Sequence, residues 1–258
     1  MNIQRFSPAQ QGTGAFDGGK IIEQKPIGFP GEGGAVKRVG PLFYWAWAFT
    51  PEDGYIPPHP HQAFEIVTYV IQGKAVHGDS LGTKSTIGAG GAQVMQTGSG
   101  VSHEERFVGP DMEGFQIWFE PDLRQTRYDQ PTYRQFEHEQ FPVQEHEGVT
   151  VKEVIGGQSP VALKVEAHMR DITIQAGGEY VLELAAGRSM AVLAIRGTGS
   201  LGSADDEASA ALHSKDFAVL DAGGTSGSTV VRAAADEALR LVAIEVPSET
   251  DYPLYNKR

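Results

Sequence analysis

Four landmarks of this chain recur at a constant spacing. Gly54, Ile71, Gly73 and Trp118 are matched 124 residues later by Gly178, Ile195, Gly197 and Val242. Gly73 and Gly197 each end a run rich in β-branched residues, and Gly54 and Gly178 each precede one. The alternative to a repeat is coincidence between two glycine-rich β segments. A register kept without gaps over this many positions points instead to a duplicated β unit, which at this size folds as a double barrel or sandwich. Runs that read as strands bear this out: 62–72, 92–97 and 114–120 in the first half, and 179–184, 190–197, 217–221 and 239–247 in the second. Turns such as Asp79-Ser80-Leu81-Gly82 and Gly88-Ala89-Gly90-Gly91 separate them. The 32 glycines and 15 prolines favour an all-β chain over a helical bundle. Segment 122–148 is polar and reads as a connection between halves. The expected barrels are therefore 1–125 and 126–258.

The 258 residues contain no cysteine, which rules out disulfides and thiolate metal sites and fits the cytoplasm. The N-terminus lacks the basic-then-apolar layout of a signal peptide, and no apolar run of about 18 residues exists to cross a membrane. A formal net charge of −12 without a basic stripe argues against direct binding to nucleic acid or anionic lipid.

Two short motifs carry the chemistry. His59-Pro60-His61 lies in HPHQAFEIVTY, and His103-Glu104-Glu105 closes GSGVSHEERF. Side chains at i and i+2 of a strand share a face, so His59 pairs with His61 and His103 with Glu105. On neighbouring strands these two pairs would set three imidazoles and a carboxylate around one point, a ligand set for a divalent first-row transition metal. Glu104, of opposite parity, should face outward. Ser102 and His103 face opposite ways and make no dyad. Gly98 and Gly100 are expected to ease the approach of His103 to the metal. The 124-residue spacing carries His59, His61, His103 and Glu105 onto Glu183, Ala185, Gly227 and Thr229, so one metal is expected, in the first half. His77, near the Asp79-Ser80 turn, could approach the cavity mouth but reads first as a surface residue, and His138, His146, His168 and His213 read as solvated. Phe64, Met95, Phe115, Trp118 and Phe119 read as core, some of them able to line a pocket.

The run HPHQAFEIVTYVIQGKAVHGDSLGTKSTIGAGGAQVMQTGSGVSHEE, with the upstream VGPLFYWAWAF, closely resembles the signature of the pirins, members of the cupin superfamily. The likeness is strongest over about residues 36–120. It implies a bicupin, two tandem cupin-type β-barrels, with one metal in the first. The pirin pattern assigns the ligands to His59, His61, His103 and Glu105, and Fe(II) is the usual metal, with Ni, Zn, Mn, Co and Cu as alternatives. Glu65 stands at the glutamate of the general cupin motif H-x-H-x3-E. On a straight strand it would lie about 13 Å from His61, although a turn could bring it close. The pirin pattern prefers Glu105, leaving Glu65 a supporting role. The chain departs from the pattern at Val94, where tryptophan is usual, at Gly91, where an acidic residue is usual, and in the tail PSETDYPLYNKR.

The resemblance implies two functions. One is a quercetin 2,3-dioxygenase-like oxidoreductase that takes O2 and a small flavonol-like aromatic substrate. In it Glu105 either stays a ligand or loosens and acts as catalytic base. The other is a non-catalytic, redox-dependent regulator that binds a protein partner. A Lewis-acid isomerase or small-molecule binder would use the same four ligands.

Overall fold

The computed structural model describes residues 1–202 and 209–257; Arg258, the end of the divergent tail, lies outside them. Its strands are β1 (Asn2–Phe6), β2 (Gly12–Phe16), β3 (Ile21–Ile27), β4 (Leu42–Thr50), β5 (Gly54–His61), β6 (Glu65–Asp79), β7 (Lys84–Gly88), β8 (Ala92–Gln96), β9 (Val101–Phe119) and β10 (Thr132–Phe136). They continue with β11 (Val143–His146), β12 (Val149–Ile155), β13 (His168–Ile174), β14 (Glu179–Leu184), β15 (Arg188–Arg196), β16 (Thr198–Gly202), β17 (Ala210–His213), β18 (Phe217–Asp221), β19 (Gly227–Ala233) and β20 (Leu239–Pro247). A single four-residue α-helix, Leu123–Thr126, and three short 3-10 turns are the only helices among the described residues. None is long and apolar enough to cross a membrane.

The chain is a bicupin made of two compact units. One comprises 10–140, 163–165 and 250–258, the other 1–9, 141–162 and 166–249. In the first unit the back sheet runs β10-β8-β6-β9-β4-β3-β2, while β5 joins the first half of β9 and β7 the last half of β6. The long strands β6 and β9 thus belong to both faces of the barrel. Gly73 is where β6 turns from one to the other: its φ is +77°, and a Cβ there would lie 2.9 Å from the Val108 carbonyl oxygen. In the second unit the corresponding sheets are separate, β1-β18-β15-β20-β13-β12-β11 and β14-β19-β16-β17. Gly197, also with φ +77°, sits between β15 and β16. The strand order repeats position for position, and the duplicated glycine marks the same bend in each unit.

Three sequence expectations change. The units divide at 140/141 rather than 125/126, because the edge beside β8 is filled by β10, drawn from the presumed connector. The equivalent edge beside β18 is filled by β1, from the other end of the chain. The 124-residue register also slips late in the repeat. Ile66 pairs with Trp118, but Met190, its counterpart, pairs with Glu245 and not Val242. Residues 234–238 interrupt the second unit between β19 and β20, where β9 runs unbroken. Finally, Glu183 is exposed, and the residue paired with Gly227 as His59 is paired with His103 is Leu184. The register shift in β5 between Ile56 and His59 has no counterpart in β14, whose pairing with β19 is regular.

The two interiors differ. The second unit holds one large apolar core, including Ile172, Met190, Val192, Leu239 and Leu241, all 0% exposed. Each such side chain contributes about 1.5–3 kcal/mol through burial. The first unit buries large side chains such as Trp45, Phe115 and Phe119, and with them the polar Glu23, Lys25, Glu65, His77, His103 and Glu105.

Candidate metal centre

Strand pairing assembles the site. In the ladder β5–β9–β6, His59 lies opposite His103, which lies opposite Asp79; one step on, Ile56, Glu105 and His77 form the next row. Directly paired residues share a face, so both rows project into the barrel. His103 Nε2 is 2.9 Å from His59 Nε2 and 3.1 Å from His61 Nε2. The three ligand nitrogens all lie within 4.8 Å of one another, the one such grouping among the described residues.

The donor set fits a cation. At metal–nitrogen bonds of about 2.1 Å, adjacent ligands at right angles sit about 3 Å apart, the spacing of His103 from His59 and from His61. His59 Nδ1 is 2.9 Å from the Pro57 carbonyl oxygen. A carbonyl only accepts, so Nδ1 carries the proton and Nε2 presents a lone pair inward. Burial, reinforced by the neighbouring imidazoles, lowers His61 and His103 to about 3. His61 and His103 are therefore held neutral at physiological pH, which suits metal ligation.

Glu105 stands beside this triad rather than within it. Its Oε2 is 3.9 Å from His103 Nε2, and both carboxylate oxygens accept from Gln116 Nε2, at 2.9 and 2.7 Å. Gln116 Oε1 in turn accepts from Trp118 Nε1 at 3.1 Å. Trp118 meets His61 edge-on, with ring centroids 4.8 Å apart. A cavity of about 370 Å³ opens on this group, lined by His59, His61, Glu105 and Gln116 together with Phe29, Tyr44 and Trp118.

Glu65 is taken up elsewhere. It is 1% exposed and accepts from Gln96 Nε2 and from the backbone N–H groups of Lys164 and Val165. Glu104 faces away from the site, as parity predicts, and accepts from the Tyr55 hydroxyl. Gly98 approaches Asp129, where a Cβ would lie 2.4 Å from the carbonyl oxygen, so it fits the chain against the 126–131 segment. His77 is not a surface residue: it is 4% exposed, 2.8 Å from Asp79 Oδ2, and stacked on Tyr133 at 4.3 Å. The expectation failed because β6 continues past Gly73 and carries His77 inside. His138, His146 and His213 are exposed, whereas His168 is half-buried. Of the aromatics read as core, Trp118 lines the cavity, while Phe115 and Phe119 are fully buried. Sequence reasoning overlooked Gln116, a lone polar residue between Phe115 and Ile117. It also overlooked Glu23 and Lys25, whose i, i+2 spacing on β3 was a readable signal.

The comparisons accord with this geometry. The pirin family profile matches residues 47–119. A pirin-like protein of Solanum lycopersicum is 32% identical over 202 residues, covering 76% of this chain and 68% of that one. Two pirin-like proteins, of Arabidopsis thaliana and Caulobacter vibrioides, are matched over only 42% and 38% of their own length. Among solved structures, the bacterial pirin YhhW from Escherichia coli in complex with nickel(II) superposes with TM-score 0.77 at 19% identity, over 95% of this chain and 99% of that one. Quercetin 2,3-dioxygenase from Acinetobacter baumannii gives 0.79 at 21% identity, over 99% and 82%. With a bicupin fold, a three-histidine cluster in the first unit and a relative matched over two thirds of its length, the chain belongs to the pirin family.

Proposed function

We propose that the protein is a metal-dependent dioxygenase of the cytoplasm acting on flavonol-like aromatic substrates. His59, His61 and His103 hold one divalent metal, Fe(II) in the first instance, and Glu105 serves as further ligand and base. The observation that carries this reading is the position of the triad: two of its members, His59 and His61, line an aromatic-walled cavity of about 370 Å³ together with the Glu105 carboxylate. A site meant only to hold a metal needs no such chamber. The names of the nickel-bound and quercetin-oxidising structural neighbours support the same direction.

The bound metal would supply open coordination positions and redox activity toward dioxygen. The remaining work falls to the chain. Phe29, Tyr44 and Trp118 give a flat ring apolar faces to stack on and keep water from the reacting end. Glu105 accepts the proton of the substrate hydroxyl that approaches the histidines, leaving that oxygen negative. Gln116 holds both carboxylate oxygens in place while they wait.

The test combines metal analysis with oxygen uptake. Protein isolated without added metal is expected to carry about one metal per chain, and His61→Ala to lose most of it. The iron-loaded protein should consume oxygen with at least one flavonol, and Glu105→Gln should abolish that uptake. Metal retention by His61→Ala would remove the ligand assignment. A full metal complement with no uptake across a flavonol panel would leave the partner-binding regulator as the better reading.

A further inference from the structure

A charged cluster lies on the same cavity and has no part in the chemistry above. Lys25 Nζ is 2.6 Å from Glu32 Oε1, in an aligned hydrogen bond, and 3.1 Å from Glu23 Oε2. The second contact is a charge contact only: Glu23 Oε2 is buried and has no hydrogen-bond partner. The side chains of Glu23 and Lys25 are 6% and 5% exposed. A Cβ on Gly14 would lie 2.8 Å from Glu23 Oε2 and 2.6 Å from Lys25 Nζ, so the bare backbone of β2 is what lets this pair be covered. Glu23, Lys25 and Glu32 line the cavity together with His59, His61 and Glu105. Burial raises the Glu23 carboxyl, and the charge of Glu105 adds to the rise, as expected for two acids facing one space.

The chemistry of this wall is selective. Two carboxylates against one ammonium leave a formal charge of −1 in a desolvated place. An anionic group brought there would meet repulsion with little water to screen it. A neutral hydroxyl brought to the Glu23 carboxylate would instead donate to it without adding charge. Phe29, Tyr44 and Trp118 line the same cavity. The complementary ligand is flat, aromatic, and hydroxylated at more than one position.

We propose that Glu23 determines specificity: its carboxylate accepts a hydrogen bond from a phenolic hydroxyl of the substrate other than the one that approaches the histidines. The cavity thereby selects aromatic substrates with such a further hydroxyl and rejects those carrying a carboxylate in its place. Lys25 holds Glu23 and keeps the pair from carrying the full charge of two free acids. This inference rests on the flavonol-type reading of the site.

The test measures binding, not turnover. Metal-loaded full-length protein is titrated calorimetrically without oxygen against quercetin and against 3-hydroxyflavone, which keeps the hydroxyl for the histidines and lacks the others. Wild-type protein is expected to bind quercetin at least about tenfold more tightly, the value of one buried hydrogen bond to a charged group. Glu23→Gln should reduce that ratio about tenfold, with an unchanged thermal melting curve. A 3-hydroxyflavone derivative bearing a carboxylate where quercetin has a further hydroxyl should bind wild type more weakly than the parent compound. Equal affinities for the two flavonols in wild type, or the same ratio in a folded Glu23→Gln protein, would overturn the role of Glu23 while leaving the flavonol reading intact. Binding of neither flavonol would overturn both. Should the variant not fold, the wild-type comparison alone decides.

Discussion

Two buried glutamates in the first unit show how partners, not residue type, assign a role. Glu65 is surrounded by donors and fixes backbone; Glu105 is held by one glutamine and faces the histidines. Replacing Glu65 by Gln leaves one oxygen and turns an amide toward the N–H of Val165 or Lys164. A destabilisation of about 1–3 kcal/mol is expected from the unpaired donors, read as a lower urea midpoint, with the metal content unchanged. Loss of metal from a folded Glu65→Gln protein would place Glu65 among the ligands. Gln116→Leu should act in the opposite sense. It removes the donor that orients Glu105, and loss of such a supporting contact costs about 10- to 100-fold in metal affinity or activity. Competition with a chelator measures the first, and the melting temperature should scarcely move.

The strands β6 and β9 build the site because each crosses from one face of the barrel to the other. Gly73 makes the crossing of β6 possible, and Gly197 the matching break between β15 and β16. An added Cβ would lie 2.9 Å from the Val108 carbonyl oxygen at Gly73 and 2.0 Å from that of Ala238 at Gly197. Each Gly→Ala change should cost on the order of 1–3 kcal/mol, since strain and collision add. Gly18, at φ +64° with nothing within 4 Å, is the control and should lose less. Equal urea midpoints for all three variants would contradict the argument. These same elements explain what could be read beforehand. The β runs, the repeat and the H-x-H and H-x-E faces follow from local periodicity and turn residues, which the chain states in sequence order. The continuation of β6 through Gly73, which buries His77, does not, because a glycine in a strand ends it or bends it depending on what lies across. The exchange of edge strands β1 and β10 is a long-range pairing with no local mark. The cavity arises from cross-strand neighbours: Gln116 projects beside Ala46 and Glu23 beside Ala48, short side chains that leave room.

At the scale of the molecule, the buried histidines and glutamates whose pKa values are displaced, His61, His103, Glu23 and Glu65, all lie in the first unit, so the response to acid should originate there. His61 and His103 are held at about 3, against about 6.5 in an unfolded chain. As pH falls below 6.5 the unfolded chain takes up protons that the folded metal-free protein refuses, and stability is lost progressively down to about 3. Burial acts the other way on Glu23 and Glu65, whose raised pKa values let the folded protein take up protons first and gain stability on acidification. The two effects oppose, so the diagnostic quantity is a difference between proteins. In the presence of chelator, the urea midpoint of wild type should fall more steeply between pH 7 and pH 5 than that of the His61→Ala/His103→Ala double variant. The carboxylates are common to both and cancel to first order. Added metal should flatten the wild-type profile near neutrality, because the bound ion competes with protons for the same lone pairs. Parallel profiles for the two chelated proteins would mean that the folded barrel accepts protons on these imidazoles as freely as the unfolded chain does, and the neutral pair on which metal binding depends would not exist.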